Sequence, residues 1–281
     1  MTAEVTTHNE ATQNEATQHP SRADGASGFA ERLRTQRGLV GYWVGSDNPA
    51  MTERLARIGY DYICLDAQHG LLDAAACLRG LFAIDAGSRE SGTVGVIRVS
   101  ANQPQDIGRA LDAGAAGVIV PLVNSVEEAE AAVRACRYPP VGERSFGPVR
   151  SSLRIGPDPD VANRTVACIV MIETLDGLEN VEKIAAVQGV DALYVGPSDL
   201  SLALGASRPM DGWSTPEFAA ALSRVRTAAA DAGRGCGMHT NDGQAGAAAL
   251  ASGFGFVSLS DDLAHLERTA RAELDSARAS N

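Results

Sequence analysis

Lysine is nearly absent from this sequence. Lys183 is the only one, the other basic residues being arginines, and it lies in the segment 178–184, whose pattern is typical of an outer helix. A Schiff-base enzyme needs a lysine that projects into a desolvated pocket, and Lys183 is badly placed for that role. Electrophilic activation of a carbonyl group would therefore fall to a metal ion.

Basic surface and long apolar runs are also scarce. A net charge of -11 argues against nucleic-acid and anionic-membrane partners. No apolar run is long enough to span a bilayer, and the N-terminus lacks the pattern of a secretory signal. The five cysteines form no CxxC pair, so we expect buried thiols in a reducing cytoplasm and neither a disulfide framework nor a zinc framework built from cysteines.

Two regions of different composition divide the chain of 281 residues. Residues 1–28 are polar, and the segment 9–13 is repeated at 14–18. This composition predicts a disordered tail, with a docking tail as the functional alternative. Residues 29–281 are expected to form one domain, because a single α/β barrel typically needs about 250 residues.

Strand-like apolar runs alternate with helix-like segments from residue 29 onward. Continuous apolar strands separated by helices imply a parallel sheet buried on both faces. Eight such units imply a closed (β/α)8 TIM barrel. A doubly wound open sheet is the alternative, and the absence of GxGxxG after the first strand weakens it. The predicted strands are 40–44, 62–65, 94–99, 117–120, 167–172, 192–195, 236–238 and 256–259.

Two carboxylates stand where strands of this barrel end. Glu173 directly follows the strand 167–172, and Asp199 follows the strand 192–195 after a short turn. Hard divalent cations take carboxylate oxygens, so the pair suits a metal site. The alternative is that both acids cap the helices after them. Because active sites of barrels lie at the carboxyl ends of the strands, the metal site is favoured.

Other reactive side chains follow other strands. His69 follows the second strand and is suited to general base catalysis, with an ordinary loop histidine as the alternative. Arg98 ends the third strand, where a buried guanidinium must find an anionic partner. It is expected to clamp a substrate oxyanion or carboxylate, to pair with Asp66 or Glu173, or both.

Pocket walls are predicted at Trp43 and His239, for which barrel packing and helix capping are the alternatives. The long loop 137–163 exceeds a simple connection, and such loops are often functional. Its Arg144 and Arg150 are expected to meet an anionic substrate, with a solvated lid as the alternative.

Read together, these segments resemble the HpcH/HpaI family of metal-dependent (class II) 2-oxo acid aldolases, from about Gly38 to Leu266. The order and spacing of the set carry the resemblance. The matching segments are Gly41-Tyr42-Trp43-Val44-Gly45, Asp66-Ala67-Gln68-His69, Arg98, Asn102-Gln103-Pro104, Leu111-Asp112-Ala113-Gly114, Pro121, Arg137-Tyr138-Pro139-Pro140, Ile172-Glu173-Thr174 and Gly196-Pro197-Ser198-Asp199-Leu200-Ser201.

The resemblance implies roles for individual residues. Glu173 and Asp199 would hold Mg²⁺ or Mn²⁺, with Co²⁺ or Zn²⁺ as further candidates. Arg98 would bind the keto or enolate oxygen, and His69 would act with a water molecule as acid and base. Considered by itself, Asp112 has the pattern of an exposed acid near a helix end. The resemblance implies that it would reach His69 from another subunit.

The resemblance also implies an assembly and a reaction. The last helix would pack on a neighbouring subunit in a homo-oligomer, a hexamer built as a trimer of dimers. The reaction would be reversible aldol cleavage of a 4-hydroxy-2-oxo acid to pyruvate and an aldehyde through a metal-stabilised enolate. The backbone around Pro197 and Ser198 would hold the carboxylate, and the aldehyde would enter between Trp43 and the Arg144 loop.

Alternative functions on the same site are an oxaloacetate decarboxylase, an enolate-trapping synthase like macrophomate or citrate synthase, and a non-catalytic barrel that binds a 2-oxo acid. The Arg144-Ser145-Phe146-Gly147-Pro148 segment resembles the macrophomate-synthase branch. Two residues depart from the family. At the position of Gln68 the family usually has glutamate, and at the position of Met171 it often has glutamine. The first change removes a charge beside the base, and the second removes a polar group beside the metal.

Overall fold

The computed structural model describes residues 28–209 and 211–279, which form a closed barrel of eight parallel strands in chain order. The TIM-barrel prediction is confirmed. The predicted tail, residues 1–28, lies outside the described residues apart from Gly28. The strands are β1 (Leu39–Val44), β2 (Tyr62–Asp66), β3 (Val94–Arg98), β4 (Gly117–Val120), β5 (Ala167–Ile172), β6 (Ala192–Val195), β7 (Gly235–Thr240) and β8 (Phe256–Asp261).

Helices surround this barrel and connect its strands. Those in the described ranges are α1 (Phe29–Thr35), α2 (Pro49–Ala56), α3 (Ala74–Gly87), α4 (Pro104–Asp112), α5 (Val126–Cys136), α6 (Ser152–Ile155), α7 (Pro159–Thr165), α8 (Leu175–Glu179), α9 (Val181–Ala186), α10 (Pro197–Ala203), α11 (Pro216–Asp231), α12 (Gly243–Ala251) and α13 (Asp262–Ala279). No described helix combines the length and the apolar character needed to cross a bilayer.

The strands alternate between two apolar clusters. In β5, Ala167, Ile169 and Met171 belong to the cluster inside the barrel, and the residues between them pack toward the outer helices. Successive side chains of a strand point to opposite faces, which produces this period of two. The last inward residue of each strand therefore faces the mouth of the barrel.

Aromatic rings fill the barrel interior, and glycines make room for them. A Cβ atom at Gly41 would lie 2.2 Å from the ring of Tyr62, and one at Gly237 would lie 2.3 Å from the ring of Phe256. The Tyr62 hydroxyl is 2.8 Å from Oγ of Ser258. The part of the chain that the structure describes thus forms a packed core inside the barrel with no channel through it, as in other barrels of this size.

Helix α1 closes the amino end of the barrel. Phe29 and Leu33 are buried in the interior cluster, and the Phe29 ring lies 5.6 Å from the ring of Tyr62. Arg34 pairs with Asp191, and the buried Arg137 donates to the same carboxylate at 2.9 Å. We call α1 and these ion pairs the floor of the barrel.

The long loop 137–163 lies at the amino end of the barrel. The prediction that this loop lies beside the substrate is therefore wrong for a single chain. The loop contains α6 and the first residues of α7. Arg144 donates to Asp112 at 2.6 Å, and Asp112 ends α4, which runs back from the mouth. Arg150 pairs with Asp85 instead of facing the mouth. Within the described residues of a single chain, Trp43 and this loop therefore do not border a passage for the aldehyde.

Helix α13 extends away from the barrel. Asp262 is buried and accepts hydrogen bonds from the backbone N–H groups of Gly45 and Ser46 at 2.8 and 3.0 Å, which fixes the start of the helix. Every residue of α13 from 263 to 279 is exposed, including Leu263, Leu266 and Leu274. Exposed leucines along a helix are typical of a surface that packs against another molecule.

Candidate active site

A cavity of about 420 Å³ opens at the carboxyl ends of the strands. We call it the mouth cavity. Seven of the eight strands or the turns after them contribute to its wall. It brings together the site residues predicted from sequence, with the exception of Asp112. These predicted residues are Trp43, His69, Arg98, Glu173, Pro197, Ser198, Asp199 and His239.

Arg98 and Asp66 form a bidentate ion pair in the wall of the mouth cavity. Nε and Nη2 of Arg98 donate to the two oxygens of Asp66 at 2.8 and 2.6 Å, so the predicted pair with Asp66 is confirmed. Burial opposes ionisation of Asp66, but the hydrogen bonds and charge of Arg98 outweigh it and hold the pKa of this carboxyl below its ordinary value. The guanidinium carbon lies 5.0 Å from the ring centroid of Trp43. The guanidinium is thus fixed in place before any ligand arrives.

Glu173 is buried at the end of β5, where its Oε1 accepts a hydrogen bond from the backbone N–H of Leu122 at 2.8 Å. Burial raises the pKa of Glu173 to about 7, and the negative charge of Asp199 adds to the increase, while Leu122 and Arg98 oppose it. Thr174 caps α8. The helix-cap alternative is therefore wrong for Glu173.

Asp199 lies in the first turn of α10, whose N-cap is Gly196, and it is exposed to the mouth cavity. Arg98, whose charge acts on Glu173, is engaged by Asp66. Two adjacent carboxylates, one of them with a raised pKa, fit a hard divalent cation through their oxygens. Within residues 28–209 and 211–279 no three His, Cys, Asp or Glu side chains converge, so further ligands would have to come from elsewhere.

His69 stands exposed at the opening of the mouth cavity. Its backbone N–H is 3.4 Å from Oδ1 of Asp66, which also accepts from the N–H of Gln68 at 3.0 Å. The side-chain Oε1 of Gln68 is buried without a hydrogen-bond partner among the described residues. Since Asp112 lies at the amino end, the structure of one chain does not bring it to His69.

Aromatic side chains form the deep wall of the mouth cavity. Trp43 stacks on Tyr194 with ring centroids 5.9 Å apart, and it meets the edge of His239 at 5.3 Å. Burial lowers the pKa of His239 to about 4, and Arg98 contributes, so this imidazole is neutral at pH 7. Sequence reasoning does not predict Tyr194, although the period-two alternation of β6 would place it inside the barrel.

Enzymes with this barrel carry out their chemistry at the carboxyl ends of the strands, and the polar side chains of this chain concentrate there. An acidic pair beside an immobilised guanidinium is the arrangement expected of a barrel enzyme that acts on small oxyanionic substrates with a cation. Residues 39–268 match the family model described as HpcH/HpaI aldolase/citrate lyase. The chain belongs to this family.

Relatives named for their activities and solved structures support this assignment. The chain is 39% identical over 238 residues to a hydroxypyruvate/pyruvate aldolase of Rhizorhabdus wittichii, covering 84% of this chain and 93% of that protein. A crystal structure of an HpcH/HpaI aldolase/citrate lyase family protein from Burkholderia cenocepacia superimposes with a TM-score of 0.81 at 34% identity, covering 89% and 98% of the two chains. Macrophomate synthase superimposes with a TM-score of 0.76 at 28% identity, covering 86% and 84%.

Proposed function

We propose that this protein is a class II pyruvate aldolase, which cleaves a 4-hydroxy-2-oxo acid to pyruvate and an aldehyde and catalyses the reverse condensation. The observation that carries the proposal is the pair Glu173 and Asp199 in the same cavity as Arg98. The similarity to a hydroxypyruvate/pyruvate aldolase over most of both chains supports the same reaction class.

The two carboxylates would hold the cation. Their hard oxygens favour Mg²⁺ or Mn²⁺, with Co²⁺ or Zn²⁺ as further candidates. When bound, a divalent cation supplies Lewis-acid polarisation of the 2-oxo group. Glu173 provides the buried oxygen and Asp199 the exposed one, so the pair spans the depth of the mouth cavity.

Arg98 stabilises the oxygen that becomes negative when the enolate forms. Asp66 engages Nε and Nη2, which holds the guanidinium in one orientation and avoids reorganisation during the reaction. The first turn of α10, which begins at Pro197, offers the backbone N–H groups of Ser198 and Asp199 to the substrate carboxylate, because the first N–H groups of a helix have no partner within it. Trp43 forms the apolar wall behind the bound acid.

His69 would carry the proton. During cleavage it removes the proton of the 4-hydroxyl group as the C3–C4 bond breaks and the aldehyde forms, and it then gives a proton to C3 of the enolate to form pyruvate. Condensation reverses both transfers, which is general acid–base catalysis. Its exposed position at the opening places it where the aldehyde half of the substrate would lie. Asp112 of a neighbouring copy would orient the imidazole.

Incubation with pyruvate and an aldehyde, with and without a chelator, tests the reaction. We expect adduct formation that stops on addition of EDTA and returns with Mn²⁺ or Mg²⁺. Oxaloacetate is supplied in a parallel reaction, because the second candidate is an oxaloacetate decarboxylase or an enolate-trapping synthase, and the likeness to macrophomate synthase supports the synthase. Carbon dioxide release from oxaloacetate without any aldol adduct would replace the aldolase proposal. Pyruvate binding that is insensitive to chelator, with no turnover, would indicate a non-catalytic barrel.

The site would be completed by a second copy of the chain in a hexameric trimer of dimers, located in the reducing cytoplasm that five free thiols suit.

His69→Ala is expected to lower kcat about 10²- to 10⁴-fold, the usual contribution of acid–base catalysis, and Asp112→Ala to lower it through the same step. Co-expression of the two variants should restore activity, because mixed oligomers contain sites with both native residues. Each variant expressed alone is the control. Mixed oligomers no more active than either variant would exclude a shared site.

A further inference from the structure

We propose that Leu122 is a positioning residue, and that its backbone together with Gly196 sets the orientation of Glu173 for cation binding. The inference rests on the proposed function, since it takes Glu173 as a cation ligand. Neither residue contributes a polar side chain. Both act through the main chain on the two sides of β5.

Leu122 has an unusual backbone conformation, with φ of 54° in the left-handed region. Bulky side chains rarely adopt this region, and the Leu122 side chain is 49% exposed, so its packing does not explain the conformation. Val120 pairs with Val170 of β5, whereas the N–H of Val123 donates to the carbonyl of Met171 at 3.4 Å. Continuing the ladder from this pair would bring the N–H of Leu122 to that carbonyl, so the chain holds one extra residue here, as in a β-bulge.

This bulge directs one donor to the acidic pair. The N–H of Leu122 leaves the strand ladder and donates to Oε1 of Glu173 at 2.8 Å. Backbone strain of this kind persists where the surroundings determine it, and such positions concentrate at functional sites. We infer that the left-handed conformation serves to present the N–H to Glu173.

Gly196 confines the same carboxylate from the β6 side. Its φ of -88° is open to any residue, so conformational freedom does not account for a glycine here. A Cβ atom at this position would lie 2.3 Å from Oε2 of Glu173 and 2.9 Å from Cε of Met171. A side chain at residue 196 would therefore displace the carboxylate.

One oxygen of Glu173 is held by a hydrogen bond, and the other lies against a glycine that leaves just enough space. The carboxylate accordingly has one orientation before a cation arrives. Groups that orient a metal ligand typically affect metal affinity about 10- to 100-fold. A purely structural role for Leu122 and Gly196 would instead change thermal stability and leave metal affinity unchanged.

Titration calorimetry of chelator-treated full-length protein with Mn²⁺ tests the inference. Leu122→Val and Leu122→Asn retain the N–H and are of similar size, but asparagine accepts the left-handed region and β-branched valine does not. We expect Leu122→Val to weaken Mn²⁺ binding about 10-fold or more relative to Leu122→Asn. Melting temperatures measured in parallel separate loss of affinity from loss of folding.

Gly196→Ala provides the second arm, with an expected 10- to 100-fold loss of Mn²⁺ affinity, roughly the range for groups that orient a ligand. Gly108→Ala is its matched control, because no atom lies within 4 Å of a Cβ built at Gly108 in α4. Should Gly196→Ala fail to fold, the Leu122 pair decides. Equal affinities of Leu122→Val and Leu122→Asn would overturn the role of Leu122, and equal affinities of Gly196→Ala and Gly108→Ala would overturn that of Gly196.

The wild-type protein separates this inference from the proposed function. If it does not bind Mn²⁺, or if Glu173→Gln binds Mn²⁺ as tightly, the metal site itself is wrong and the positioning role is overturned with it. If wild type binds Mn²⁺ and Glu173→Gln does not, the site stands and the variants at residues 122 and 196 judge the positioning role alone.

Discussion

Glu173→Gln is expected to abolish metal-dependent turnover while the protein remains folded. The amide keeps the size of the side chain and an oxygen that can accept from the N–H of Leu122. It removes the negative charge that a divalent cation requires. Lewis-acid activation is worth several kcal/mol and about 1.4 kcal/mol corresponds to tenfold, so kcat/KM should fall by a factor on the order of 10³ or more.

The measurement is the rate of pyruvate release at saturating Mn²⁺, alongside the melting temperature. Glu179→Gln is the matched control, because Glu179 is exposed at the end of α8, six residues further along the chain. It should retain wild-type kinetics. Turnover by Glu173→Gln at the wild-type rate, or wild-type turnover that persists in excess EDTA, would contradict the role of the acidic pair.

Arg98→Lys is expected to lower kcat by about 10²- to 10³-fold, the usual cost of removing one donor to a developing oxyanion. Lysine retains the positive charge, but its point charge cannot reproduce the two-armed contact with Asp66 or hold one fixed orientation. Arg98→Ala should lose turnover as well. It also leaves the buried Asp66 without its cationic partner, which typically costs about 3–5 kcal/mol in the free energy of unfolding.

Arg137→Lys separates catalysis from stability, since Arg137 makes the corresponding buried pair with Asp191 at the floor of the barrel. Both lysine variants should be less stable to urea than the wild type. Only Arg98→Lys should lower kcat. A wild-type kcat in Arg98→Lys would contradict a role of Arg98 in the reaction. An equal loss of kcat in Arg137→Lys would indicate that the effect comes from destabilisation.

Sequence alone predicts the barrel and most of the mouth cavity, for identifiable physical reasons. Continuous apolar strands report burial on both faces, and the carboxyl ends of parallel strands must meet at one edge. The assembly of His69, Arg98, Glu173 and Asp199 follows from these two rules. The pairing of Arg98 with Asp66 follows as well, because a buried guanidinium requires an anion.

Other features depend on geometry that local sequence does not encode. The Arg144 loop follows a helix that returns to the amino end, so its place depends on chain direction and not on its length. The left-handed backbone of Leu122 arises from the bulge between β4 and β5, and leucine gives no signal for it. The helix-cap alternative fails for Glu173 because Thr174 caps α8, while Glu173 accepts a hydrogen bond from the N–H of Leu122, which lies after β4.

The closed floor has a kinetic consequence. Within the described residues, α1 seals the amino end and aromatic rings fill the interior, so the mouth cavity is closed at its inner end and substrate and products share its opening. Glu173 is buried at its depth, whereas His69 lies exposed at its edge. Under the proposed reaction the aldehyde departs first and the 2-oxo acid last, so release is ordered. Pyruvate would then compete with the substrate for free enzyme, and the aldehyde would not.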